Sequence, residues 1–204
     1  MPYLTALGEQ ETMVRERRAG RITDVLLLLE HPHVITLGSG AGHSRAHVLV
    51  PSEELERRTI ELHEVNRGGN VTYHGPGQLV GYPILDLRPD RCDVRRYVRD
   101  LEEVLIRTAR TFGVIAARLT GFTGVWVGDK KLAAIGVRLS RWVTSHGFAL
   151  NISTNLDYFK LIHPCGISNL GVTSLSALTG QKLTVQDVAP ILIREFCSVF
   201  QRDL

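Results

Sequence analysis

The sequence predicts an α/β (α+β) fold, a single domain over residues 1–204 in which helices flank a mixed β-sheet. Three observations carry that prediction. Apolar residues recur at helical spacing near the start, around residues 94–112 and near the end, while shorter apolar runs of strand length lie between them. Consecutive strand-like runs between residues 125 and 152 are separated only by tight turns, which suits antiparallel pairing rather than a doubly wound parallel sheet. A chain of 204 residues with 44% hydrophobic residues has the size and composition of one ordinary globular domain.

The elements follow in order. Leu4, Leu7, Glu11, Val14 and Arg18, closed by Gly20, predict an amphipathic first helix. Residues 24–30 and 34–37 read as strands interrupted by His31-Pro32, and Pro51-Ser52-Glu53-Glu54 opens a short helix. Residues 60–67 alternate weakly, like a strand. Residues 79–87 are apolar enough for a buried strand. Asp93 is placed to N-cap a helix with Tyr97, Val98, Leu101, Val104, Leu105 and Phe112 on one face, stopped by Gly113. Val125-Trp126-Val127, the turn Gly128-Asp129 and residues 132–139 make a hairpin, with residues 142–152 as a third strand. Thr184 and Asp187 form a capping box for the last helix, whose apolar positions include Val188, Ile191, Leu192, Phe196 and Val199.

Composition narrows the function classes. A net charge of +3 is too small to point to nucleic acid. The longest aliphatic run, Val25 to Leu29, falls far short of the ~20 residues that a membrane helix needs, and the first 18 residues lack a signal-peptide core. Cys92, Cys165 and Cys197 are an odd, scattered set without a CxxC pair, which fits a cytoplasmic protein and argues against a thiolate zinc site. His31, His33, His43 and His47 have no carboxylate or thiol at ligand spacing, so no metal is expected. Gly38-Ser39-Gly40 lacks the order of a dinucleotide-binding loop. No element advertises a large oligomer interface, which reads as a monomer.

Two stretches carry the chemistry. Between residues 68 and 78 there are four glycines, with Arg67, Asn70, Thr72, Tyr73, His74 and Gln78 among them. Glycines let a backbone approach a ligand, and an arginine can take a carboxylate or phosphate. A plain turn needs none of those side chains, so a ligand loop is the better reading. In His163-Pro164-Cys165-Gly166, the thiol sits in a loop, where it becomes a nucleophile if a nearby cation lowers its pKa. Lys131, one of only four lysines, is the candidate cation, although a solvated lysine at a hairpin end is the ordinary alternative.

Arg67-Gly68-Gly69, Thr72 through Gln78, Lys131 with Ala134-Ile135-Gly136, His146 through Asn151, and Pro164-Cys165-Gly166 occur in that order. The set resembles the lipoyl(octanoyl) transferases, also called lipoate–protein ligase B, over residues 67–175. The resemblance implies the biotin/lipoate protein ligase-like fold. It also implies transfer of an octanoyl group from acyl carrier protein to a lysine on lipoyl domains of 2-oxoacid dehydrogenases and the glycine-cleavage H protein. The implied nucleophile is Cys165 and the lysine acting on it Lys131. Substrate-binding stretches fall on Arg67, Gly68, Gly69, Asn70, Val71, Thr72, Tyr73 and His74, on Ala134, Ile135 and Gly136, and on Gly147, Phe148 and Ala149. No cofactor is implied, because amide formation from a thioester runs downhill without ATP. Backbone N–H groups near Gly75 to Gln78 are candidate oxyanion donors. Arg88, Arg91, Arg95, Arg96 and Arg99 are a candidate docking stretch for an acidic carrier. The competing readings are an ATP-dependent lipoate or biotin ligase of the same fold, a non-catalytic carrier-binding module, and a thioesterase.

Overall fold

The structure, a computed structural model, describes residues 1–42, 44–163 and 170–203. Cys165, with Pro164 and Gly166, lies outside the described residues, as does His43. In chain order the elements are α1 (Tyr3–Arg18), β1 (Val25–Leu29), β2 (Val34–Leu37), α2 (Ser52–Arg57), β3 (Glu61–Glu64), β4 (Val71–His74) and β5 (Gln78–Ile84). Then come α3 (Val94–Thr111), β6 (Ala117–Leu119), β7 (Phe122–Val127), β8 (Lys130–Ser140), β9 (Val143–Asn151), β10 (Gly171–Val172), α4 (Leu175–Thr179) and α5 (Val185–Phe200).

Among the described residues the strands form two sheets. The larger runs β1-β5-β9-β8-β7-β6, with β10 pairing β8 in parallel, and the smaller runs β3-β2-β4. Both are mixed, since β2 pairs β3 in parallel and β4 antiparallel. The long hairpin β8–β9 is the spine of the large sheet, in register from Ala133↔Leu150 to Ser140↔Val143.

Side-chain alternation divides that sheet between two tasks. On one face Leu79, Leu150, Ala133 and Val125 join Leu101, Val104 and Leu105 of α3 and Val188, Leu192 and Phe196 of α5 in the main core. On the other face α1 covers part of the sheet, with Ala6 against Val80, Tyr82 and Ala149. The small sheet covers the rest, and a cavity lies between the two sheets.

The caps form where the residues predicted them. Asp93 accepts from the backbone N–H groups of Arg95 and Arg96, at 2.8 and 3.1 Å, and Thr184 with Asp187 closes the capping box. Helix α1 differs from its sequence pattern. Its buried residues are Tyr3, Ala6 and Gln10, while Leu4 is 59% exposed. A small residue lets the helix sit close to the sheet, and Tyr3 then reaches the cavity. The glycine-rich stretch also differs from a simple loop, because residues 71–74 are strand β4 of the small sheet.

Candidate active site

The cavity has a volume of about 390 Å³, the size of a small-ligand pocket. Its floor follows from register. Val80, Ala149 and Ala134 lie side by side across β5, β9 and β8, and Gly147 faces Gly136 in the next row. All five line the cavity. These positions carry little side chain, so the sheet surface is hollow there. Ile135 and Phe148 border the cavity too, but they point the other way. The Phe148 ring lies over Gly81, and both residues pack with the main core.

The opposite wall is the segment 67–74. Alternation along β4 sends Thr72 and His74 to the cavity, while Tyr73 joins Ile35 and Leu37 in a separate core; Val71 packs in that core and also borders the cavity. Tyr73 is therefore a core residue: it is fully buried, stacks on Tyr158 and shares a 2.7 Å hydrogen bond with His33 Nδ1. Gly68 does not line the cavity. Its N–H donates to Val137 O at 2.9 Å and locks the segment onto β8, and a Cβ on Gly136 would come within 2.8 Å of Gly68 O. Gly38, Ser39 and Gly40 clamp the segment from outside, donating to the carbonyls of Asn70, Arg67 and Gly69. That is the role of a stretch that only superficially looks like a dinucleotide loop.

Arg67 is 7% exposed. Its Nη2 donates to Thr36 Oγ1 and Thr36 O, at 2.8 and 2.9 Å, and its Nη1 donates to Gly68 O at 3.0 Å. The guanidinium shapes the wall and places a positive charge behind it. Burial first, and charge from neighbours such as Arg67 second, push the nearby imidazoles down, His74 to about 3 and His146 to about 4. His31 falls to about 4 through burial. Its Nδ1–H donates to Met1 O at 2.8 Å, and its Nε2 accepts from the Tyr82 hydroxyl at 2.7 Å. Tyr3 stacks against His74 and His63. Burial thus favours the neutral form of His31, His74 and His146. His146 also holds φ 54° within β9, a costly backbone for a residue with a Cβ, and its N–H donates to Gln10 Oε1 of α1 at 2.8 Å.

Lys131 stands at the other end. It is half-buried at the cavity edge, with Nζ 4.7 Å from the centre of the Trp126 ring. It is not a solvated hairpin-end lysine. Chain on either side of residues 164–169 reaches the same region. Leu170, Gly171 and Val172 line the cavity, Val172 pairs with Lys131 in register, and Thr173 N–H donates to Lys131 O at 3.0 Å. Phe159 lines the cavity on the preceding side.

One sequence reading needs correction. The Gly77 N–H donates to the Glu30 carboxylate at 2.7 Å and the Gln78 N–H to Gly75 O, so neither is available for an oxyanion; Gly75-Pro76-Gly77 is a structural turn. The arginine stretch lies on and before α3, which covers the face of the sheet remote from the cavity. Arg91 is buried on Asp100, and Arg88 pairs with Asp86.

Pattern reading missed Tyr3, Tyr82, Trp126 and Asn151 as cavity residues. Asn151 did leave a signal, a buried amide directly across from Gln78 in apolar strands. Among the described residues no group of His, Cys, Asp or Glu is arranged to hold a metal.

Comparison with known proteins brings these features together. Residues 2–197 match the family model for the lipoyl protein ligase A/B catalytic domain. An octanoyltransferase of Solibacter usitatus (strain Ellin6076) is 52% identical over 202 residues, covering 99% of this chain and 90% of the relative. One of Koribacter versatilis (strain Ellin345) is 50% identical over 207 residues, covering 99% and 82%. Among solved structures, a lipoate-protein ligase A bound with ATP superposes with TM-score 0.78 at 17% identity, over all of this chain and 84% of that one. A bipartite lipoate protein ligase from Thermoplasma acidophilum gives 0.73 at 18%, over 96% and 80%. At such identities the likeness is one of fold.

Proposed function

The chain belongs to the lipoyl protein ligase A/B catalytic-domain family, and from that premise we propose that it is an octanoyltransferase acting in protein lipoylation, in one catalytic domain. The carrying observation is full-length identity of 50% and more to octanoyltransferases, together with a hollow apolar cavity that has a lysine at its edge. The rival ligase reading shares the family match and the fold likeness but not the identity of 50% and more that points to the transferases.

In this reading octanoyl-acyl carrier protein is the donor, and lipoyl domains of 2-oxoacid dehydrogenases and the glycine-cleavage H protein are acceptors. The Cys165 thiolate attacks the octanoyl thioester and expels the carrier thiol. A lysine amine then attacks the Cys165 thioester, forming the amide and returning the thiol. A free cysteine has a pKa of about 8.5, so the Lys131 ammonium would raise the thiolate fraction and afterwards move the proton. The pairing of β10 with β8 at Lys131 supports bringing the two together. The acyl chain would lie on Ala134, Gly136, Gly147 and Ala149 and against Val80, beneath Arg67, Asn70, Thr72 and His74. The two rows of small residues, with Gln78 and Asn151 at one end and Tyr82 at the other, span four residues of strand, about 13 Å. A reducing cytoplasm suits a free catalytic thiol; among the described residues no helix is long and apolar enough to cross a membrane.

The test supplies octanoyl-loaded carrier and an apo lipoyl domain without ATP, and compares wild type with Lys131→Met. Octanoyl-lysine should form with the wild type and fall by about 10²-fold or more in the variant, the usual contribution of a positioned acid–base group. Product only from free acid plus ATP would establish the ligase. Hydrolysis without transfer would mean a thioesterase, and docking without reaction a binding module.

A further inference from the structure

We propose that Gln78 and Asn151 fix the tautomer of His74 so that its bare Nε2 accepts a hydrogen bond from the amine of the incoming acceptor lysine; this rests on the acyl-transfer reading above.

The Thr173 carbonyl oxygen can only accept. Thr173 O lies 3.0 Å from the Asn151 side-chain nitrogen, so that end of the amide is NH₂ and Oδ1 faces the other way. Asn151 Oδ1 is 2.9 Å from Gln78 Nε2, which also donates to Tyr73 O at 3.2 Å. Two acceptors on Nε2 fix the orientation of the Gln78 amide. Its Oε1 is then the atom 2.7 Å from His74 Nδ1. Two lone pairs would repel at that distance, so Nδ1 carries the hydrogen. Burial keeps the ring neutral, and a neutral imidazole has one N–H. Nε2 is therefore unprotonated.

His74 is 7% exposed, lines the cavity, and its Nε2 has no partner among the described residues. Nε2 is not sealed from solvent: it opens to the cavity, where a ligand group can reach it. Its chemistry selects the ligand group. The thioester carbonyl only accepts and the octanoyl chain does neither, whereas the acceptor amine has N–H groups to give. The far end of the relay reaches the lysine side of the same cavity, because Thr173 accepts from Asn151 while its own N–H holds Lys131 O.

In the step itself the C–N bond forms as the C–S bond to Cys165 breaks. The amine proton ends on the departing sulfur, carried by Lys131. His74 takes no proton: it aims the nitrogen lone pair by holding one N–H. Gln78 and Asn151 touch no reacting atom and act as positioning residues.

Two variants and one spectrum test this. In His74→Asn the amide overlays the Nδ1 edge of the ring, which keeps a partner for Gln78 and removes Nε2; Gln78→Leu breaks the relay. Enzyme loaded from a small octanoyl thioester is mixed with an apo lipoyl domain, and loading and discharge are timed separately by intact mass. Discharge should slow about tenfold relative to loading in both variants, the worth of one hydrogen bond. Long-range ¹H–¹⁵N spectra of the wild type should show His74 protonated at Nδ1 and bare at Nε2. An Nε2–H tautomer would overturn the proposal, as would equal slowing of both steps. Slowing of loading alone would also overturn it and assign His74 to the Cys165 thiol. A wild type that never loads would sink the acyl-transfer reading, while the spectrum would still judge the relay.

Discussion

The two faces of the β8–β9 hairpin are built from adjacent residues and do opposite things. Ala133 and Leu150 are paired and fully buried under α3 and α5, and one strand position further along Ala134 and Ala149 are paired at the cavity. The helix-covered face is filled and apolar. The cavity face is left unfilled and is ringed by buried polar groups, namely Arg67, His74, Gln78, His146 and Asn151. Stability is concentrated on the first face. The second gives up packing so that a chain can enter; a network through Gln78 and Asn151 orders part of its polar ring, while Asn70 Oδ1 and Trp126 Nε1 are left without a partner.

Changing one residue on each face should separate stability from activity. Leu150→Ala should cost about 3 kcal/mol in denaturant unfolding, the usual loss for a leucine truncated in a closed core. Ala134→Leu should leave the melting temperature within about 3 °C, because it grows into empty space. The same variant should transfer octanoyl at least tenfold more slowly while favouring a shorter acyl group. A large stability loss from Ala134→Leu, or an unchanged chain preference, would show that the cavity face is ordinary core.

Acidity attacks the polar ring selectively. His31, His74 and His146 have imidazoles lowered to between about 3 and 4 in the fold, against 6.5 in an unfolded chain. A depressed value means that the unfolded chain binds more protons below 6.5, so their contribution is complete above that pH and is lost as pH falls towards 4. Each should contribute about 1 kcal/mol per pH unit in that window. Unfolding midpoints at pH 7, 6 and 5 check it, and His146→Gln should flatten the slope. A midpoint constant from 6.5 to 5 would mean that these rings are hydrated.

The smallest effect is expected on the helix face. Reversing Arg95 and Arg99, which are exposed on α3, should change transfer from the carrier protein by less than about twofold, as surface charges remote from a site do. A tenfold loss with the carrier but not with a small thioester would put the docking surface there instead.

Much of this was legible in the sequence, and unevenly so. The helix-facing core follows from periodicity: Tyr97, Leu101, Val104 and Leu105 were readable from spacing, as were the caps at Asp93 and Thr184. The cavity face was not, since Ala134, Gly136, Gly147 and Ala149 look like any small residues in apolar strands. Motif order pointed to them, but only register shows that Ile135 and Phe148 of the same motifs turn to the core. Tyr73 is hidden for the same reason, as alternation along a four-residue strand too short to recognise decides which side chains face the ligand. Tyr3 reaches the cavity from the first turn of α1, a placement that no local pattern encodes. The glycines at 38, 40, 68, 75 and 77 were visible as unusual. Their use as clamps and turns around one wall required the hydrogen bonds.

In the proposed reaction the acyl group passes through Cys165 at the lysine end of this cavity. The most direct measurement incubates wild type and Cys165→Ala with octanoyl-loaded carrier, without ATP, and follows intact mass and then peptide mapping. The wild type should gain one octanoyl group, mapped to Cys165 and discharged by an apo lipoyl domain, and the variant should gain none. An adduct on another residue, or transfer that proceeds undiminished in Cys165→Ala, would contradict the account.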